Sequence, residues 1–180
     1  MTEYYVVYDI ETGAEGHRAQ GPEGAAMVQT LPEGKAAMII PFAAFYTSPL
    51  DLDIIKASYA ASIDADADKV RSMFITNTPG QMATYLEKEV EARRVLAGDT
   101  SNTVFLSAEA AAIGVSLADL AAEVAAQADQ WRPLGAAIEA ARRKAKVDVV
   151  AATNLAELAA ATKIDWQEVV APGSAEIASA

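Results

Sequence analysis

Asp9 and Glu11 are the first side chains in this 180-residue chain whose types and spacing could do chemistry. They close an apolar run, Tyr4-Tyr5-Val6-Val7-Tyr8, that is β-branched and aromatic enough to read as a strand. Two carboxylates in an Asp-x-Glu pattern at a strand end can bind a pair of divalent metal ions for phosphodiester hydrolysis. That chemistry needs further carboxylates, and Asp9 to Gly13 reads equally well as a turn, because Asp and Gly are both turn residues. His17 is the only histidine, so clusters of imidazoles are absent and any Ser-His-Asp triad would have to run through it. No Gly-x-Ser-x-Gly elbow accompanies it, and neither Gly-rich phosphate loop pattern occurs, so His17 is expected in a turn.

The stretch Val6-Val7-Tyr8-Asp9-Ile10-Glu11 is similar to the first motif of the DEDD-type 3′-5′ exonucleases, which would assign Asp9 and Glu11 to metal binding. The later Asp motifs of that family do not follow, and the pattern precedes turn-rich sequence rather than a nucleotide-binding sheet. A second acidic string, Asp64-Ala-Asp66-Ala-Asp68, resembles the start of an EF-hand loop. It has Lys69 where that loop needs Gly and Ile75 where it needs Glu, so an acidic first turn of a helix is the better reading. On the residues alone we expect no catalytic, cofactor or metal site.

A net charge of -11 and a pI near 4.5 argue against nucleic acid as a partner, since phosphate contacts need clustered Lys and Arg. The one basic run, Arg142-Arg143-Lys144-Ala145-Lys146, reads as a solvated helix face. The chain lacks cysteine, so disulfides and Cys-bearing zinc sites are excluded. No apolar run reaches the roughly 20 residues of a membrane helix, and Met-Thr-Glu-Tyr-Tyr lacks the basic start of a secretory signal; neither membrane insertion nor secretion is expected.

The elements behind these residues divide by period. Residues 1–48 alternate short β-rich runs with Gly/Pro turns and predict a β-meander of three or four strands, with Gly16 to Arg18 as a partner strand and Met27 to Leu31 as another. From Leu52 the spacing of Ile55, Tyr59, Ile63 and Val70 is helical, giving a connecting helix over 49–75, interrupted at Asp64 to Asp68. Residues 76–166 read as an Ala-rich helical domain. A break at Asn77-Thr-Pro-Gly80 opens a helix to Ala97, stopped by Gly98. Ser116 and Asp119 cap the next, which Pro133 kinks or ends, and Asn154 with Glu157 caps the last. Residues 167–180 are expected to form a mobile tail. The predicted class is α+β: a small N-terminal antiparallel β-module followed by an Ala-rich α-helical domain. Trp131 and Trp166, each closing a helical face, read first as core residues.

Two blocks resemble tail and tail-fibre-associated proteins of tailed bacteriophages. One is Tyr5 to Gly13; the other starts at Ile75-Thr-x-x-Pro-Gly-Gln-Met-x-Thr-Tyr-Leu-x-Lys-Glu and continues through Ser107 to Trp131 and Ile138 to Arg142. Residues 14–69 are not covered. The resemblance implies a structural component of a virion tail, made in the host cytoplasm, acting by assembly with itself and with other tail proteins. A fibre-assembly chaperone is the alternative. It also implies a homo-oligomer, with a trimer as the expected state. For such an assembly we expect partner contacts at Tyr5, Val7, Met82, Tyr85, Leu86, Trp131 and Trp166.

Overall fold

A computed structural model describes residues 1–75 and 79–177. The elements are β1 (Thr2–Asp9), β2 (Glu15–Pro22), β3 (Lys35–Ile39), α1 (Phe42–Phe45), α2 (Leu52–Arg71), α3 (Pro79–Leu96), α4 (Val104–Ile113), α5 (Leu117–Ala151), α6 (Leu155–Ala161) and α7 (Trp166–Ile177). The class is α+β, as the change of sequence period implies. The chain divides into two compact units that are not consecutive in sequence. One comprises residues 1–67 with 140–165, the other 68–139 with 166–180, so α2 and α5 each supply residues to both.

In the first unit the sheet order is β2-β1-β3, with both neighbours antiparallel to β1. This corrects the expected meander: β3 pairs with β1, not with β2. The reason lies in residues 23–34, which form turns rather than the expected strand over Met27 to Leu31. Glu3 accepts hydrogen bonds from the Gly24 and Ala26 amides (3.2 and 2.8 Å) and anchors this segment against β1. His17 lies within β2 opposite Val7, not in a turn.

Alternation along β1 sends its side chains to two different cores. Val6 and Tyr8 join Met38 and Ile40, Ile55 and Ile63 of α2, Val149 of α5, and Leu155 and Leu158 of α6. Tyr5 and Val7 point the other way, onto Ala25 and Ala26. Asp51 caps α2 by accepting from the Asp53 and Ile54 amides (3.0 and 3.2 Å). The helix then runs unbroken through Asp64 to Asp68, against the interruption expected there. At roughly 100° per residue, Asp66 falls on the opposite side of the helix from Asp64 and Asp68, so the three do not converge. Asp64 accepts from Arg142 and Lys146 of α5 (2.5 Å each), and Asp68 from Arg71 (2.7 Å).

The second unit is built on α3, α4 and the N-terminal part of α5, with Ala92, Leu106, Ala110, Leu120 and Ala121 as its core. Three of these five are alanine, so the helix backbones can approach closely over a thin core. The stop signals act as expected: Gly98 at φ 90° and Gly114 at φ 76° take left-handed C-cap conformations. Ser116 accepts from the Asp119 amide at 3.0 Å. α5 passes through Pro133 without ending. Pro133 is exposed, and so is Asp129, whose carbonyl loses its helical donor there and can be hydrated.

α7 continues the helical backbone to Ile177, where a mobile tail over 167–180 was expected. The break expected at Asn77 and Thr78 lies outside the described residues. Among the described residues, no single helix is long and apolar enough to cross a membrane. α4 and α5 meet that test only as a pair, bent by 112°.

Candidate functional site

The Asp9-x-Glu11 pair is a turn, built as one. One Asp9 oxygen accepts from the Glu11 amide (3.1 Å), the Thr12 amide (2.8 Å) and the Thr12 hydroxyl (2.9 Å), and the other meets the Lys35 ammonium at 3.0 Å. The Thr12 amide first, then Lys35, hold its carboxyl well below the ordinary carboxylate range. Glu11 is exposed. Gly13 has φ 71°, and a Cβ there would stand 2.2 Å from Asn154 Oδ1, so the hairpin tip rests directly on the start of α6. Asn154 in turn accepts from the Glu157 amide at 2.9 Å. Glu157 reaches back to the Thr153 amide and hydroxyl (2.6 and 2.9 Å), one residue earlier than the expected reciprocal bond. Asp9, Thr12 and Gly13 are thereby accounted for by folding. Among the described residues, no group of three or more His, Cys, Asp or Glu side chains is placed to hold a metal ion.

The seven predicted contact residues separate. Tyr5 and Val7 are 5% and 3% exposed, which corrects their placement at a surface. Ala25, Ala26 and Leu31 of the segment after β2 cover that face. Trp166 opens α7 half-buried, apart from the rest. Met82, Tyr85, Leu86 and Trp131 do come together. They line an open groove of about 390 Å³ in the second unit, between the first turns of α3 and residues 124–131 of α5, with Phe74 and Ile75 at one end.

Several features build this groove. Met82, Tyr85 and Leu86 fall on adjacent turns of α3 because they are three and four residues apart. Gly135 lies one turn beyond Trp131, and a Cβ there would stand 3.0 Å from the indole Cε2 and Cζ2 atoms, so the absent side chain is what lets the ring lie flat along α5. Below the groove the helices are joined by a closed set of charges. Arg93 meets Asp129 at 2.6 Å and Glu89 at 3.1 Å, while Arg132 meets Asp129 at 3.1 Å and also pairs with Glu89. Arg93 is the main cause holding Asp129 below the ordinary carboxylate value, and Asp129 in return raises the Arg93 guanidinium. Lys88 is taken by Glu109 of α4 at 2.5 Å.

The charged residues of the groove are therefore neutralised within the unit, whereas its hydrogen-bonding tips are not. The Tyr85 hydroxyl, the Trp131 indole N–H and the Gln130 amide have no partner among the described residues. Aromatic and aliphatic walls with a few free polar tips suit the capture of a neutral, largely apolar group presented by another surface.

Three contributors were missed from sequence. Phe74 and Ile75 sit beside the Pro-Gly break and gave no periodic signal. Gly135 was legible only as an isolated glycine inside a helical pattern. Compared with protein-family models, with curated proteins and with solved structures, the chain matches none.

Proposed function

We propose that this chain is an assembly protein, a structural component of a tailed-phage virion at the tail end, acting through protein-protein contacts rather than catalysis. The observation behind the assembly reading is the groove. Met82, Tyr85, Leu86 and Trp131, distant in sequence, converge on one open apolar site whose polar tips are unpartnered. The tail assignment rests on the residues of the two similar blocks, Tyr5 to Gly13 and Ile75 to Arg142. The partners would be other tail proteins and further copies of the chain, met after synthesis in the host cytoplasm.

The test uses purified particles. Mass spectrometry should find the chain in stoichiometric amounts, and Trp131→Ala, with its helical circular dichroism intact, should lower that occupancy. Absence of the parent chain from particles that require it for infectivity would replace the structural role with that of an assembly chaperone. Metal-dependent degradation of single strands by the parent chain, lost in Asp9→Ala with Glu11→Ala, would overturn the reading altogether.

A further inference from the structure

We infer that the groove between α3 and α5 receives an amphipathic helix of another protein, apolar on one face and carrying Lys or Arg beside it. This rests on the assembly reading and names the chemistry of the partner that the groove takes.

The walls set the length and form of the occupant. Met82 to Glu89 on α3 and Val124 to Trp131 on α5 each span about 10 Å of helix, so the groove offers two turns. Both walls are helices, and a furrow between helices is filled by a third, which lays apolar side chains three and four residues apart into it. The lining suits such side chains. Met82, Leu86 and Val124 are flexible or aliphatic, and Trp131 lies flat along α5 over Gly135.

The charges around the groove decide the sign of the partner. All four cations on α3 and on residues 117–139 are already matched: Lys88 by Glu109, Arg93 and Arg132 by Glu89 and Asp129, and Arg94 by Asp99. Carboxylates are left over. Asp119, Glu123 and Gln127 are spaced four apart and so follow one line of α5. Gln127 lines the groove, and the two carboxylates carry that line on toward the start of the helix. Both are exposed, and neither meets a cation among the described residues. Asp119 accepts from the Ser116 hydroxyl at 2.6 Å and Glu123 from the Gln127 amide nitrogen at 3.1 Å, neutral donors that orient a carboxylate without cancelling its charge. A helix seated in the groove therefore gains from cations beside its apolar face. A second copy has none to offer. The chain carries -11, and its one basic run is spent internally, Arg142 and Lys146 on Asp64 and Lys144 on Asp148.

The test uses three synthetic peptides of about four helical turns, in a Trp166→Phe background so that emission reports Trp131 alone. One peptide has leucines at helical spacing with lysines beside them, the second has glutamate in place of lysine, and the third has serine in place of leucine. The leucine–lysine peptide should shift Trp131 emission to the blue and bind at least about 10-fold more tightly than either counterpart. Met82→Lys, with circular dichroism unchanged, should weaken it about 10-fold or more. Asp119→Asn with Glu123→Gln, both at exposed positions, should weaken it about 3-fold and lower its dependence on salt. Equal binding of either counterpart, binding that leaves Trp131 emission unchanged, or no binding overturns the inference. Self-association of the parent chain that is lost in Met82→Lys also overturns it, because a second copy would then fill the groove. None of these results touches the assembly reading if the chain is found in particles. Absence from particles with peptide binding intact would sink that reading and not this one.

Discussion

Glu91 is the buried carboxylate on which the groove-bearing unit depends, and its removal makes a quantitative test. It is 6% exposed on α3, and its two oxygens accept from the Phe105 and Leu106 amides of α4 at 3.2 and 2.8 Å. Those are orphan donors of the first turn, and Thr103 at the N-cap provides no side-chain hydrogen bond. Glu91 thus caps α4 from a neighbouring helix and places negative charge at its positive end. In Glu91→Ala the Phe105 amide can turn to water, because its residue is 42% exposed, whereas Leu106 is fully buried and its amide is stranded. One stranded buried donor costs about 1–3 kcal/mol, and the lost charge at the helix end a further ~0.3–1 kcal/mol. We expect a loss of about 2–3 kcal/mol, or roughly 5–10 °C in melting temperature for a chain of this size. Glu91→Gln retains one acceptor without the charge and should lose about half as much, since charge-assisted bonds are roughly twice as strong as neutral ones. Urea unfolding followed by circular dichroism gives the totals, and amide exchange at Leu106 gives the local effect. If Glu91→Ala lies within about 0.5 kcal/mol of the parent, or the Leu106 amide stays equally protected, Glu91 is not the cap and the energetic argument fails.

Gly13→Ala should destabilise the first unit by about 2–3 kcal/mol, combining a left-handed backbone at an alanine with the displaced Asn154 cap; chemical denaturation measures it, and a neutral result would mean the hairpin tip does not rest on α6. The Tyr59 phenol donates to the Ile39 carbonyl at 2.9 Å and is pushed up to about 12, by burial first and the neighbouring Tyr8 second. Its raised value means that its contribution is complete below the ordinary value of 10 and is lost as pH rises from there through about 12. Tyr59→Phe should remove that alkaline step and cost about 1 kcal/mol at neutral pH, both visible in pH-dependent unfolding. Gly135→Ala should push the Trp131 ring off α5; helix content should hold while tryptophan emission shifts, and an unchanged spectrum would show that the ring does not depend on the glycine.

The punctuation of this fold was readable because caps and stops are local. Gly98, Gly114, the Ser116–Asp119 pair and Asn154 each perform at their own position what their chemistry announces. The strand order was not readable. Nothing within Met27 to Leu31 reveals that Glu3, more than 20 residues upstream, holds that segment across β1, and the burial of Tyr5 and Val7 follows from it. The unbroken α2 was hidden for a related reason, since the charges that satisfy Asp64 come from Arg142 and Lys146, far along the chain. Of the groove, the α3 residues were legible from helical spacing and Trp131 from its place at the end of a stripe. That they meet depends on how α3 and α5 pack, which no local pattern encodes.

The discontinuous first unit has a consequence for biogenesis. Val6 and Tyr8 share their core with Val149, Leu155 and Leu158, so β1 cannot complete its packing until those residues, more than 130 positions later, have been translated. Residues 68–139, by contrast, hold the whole α3–α4 core in one continuous stretch and can settle first. Chains truncated after residue 139 and released from the ribosome are expected to protect α4 from protease while the N-terminal hairpin is still cleaved.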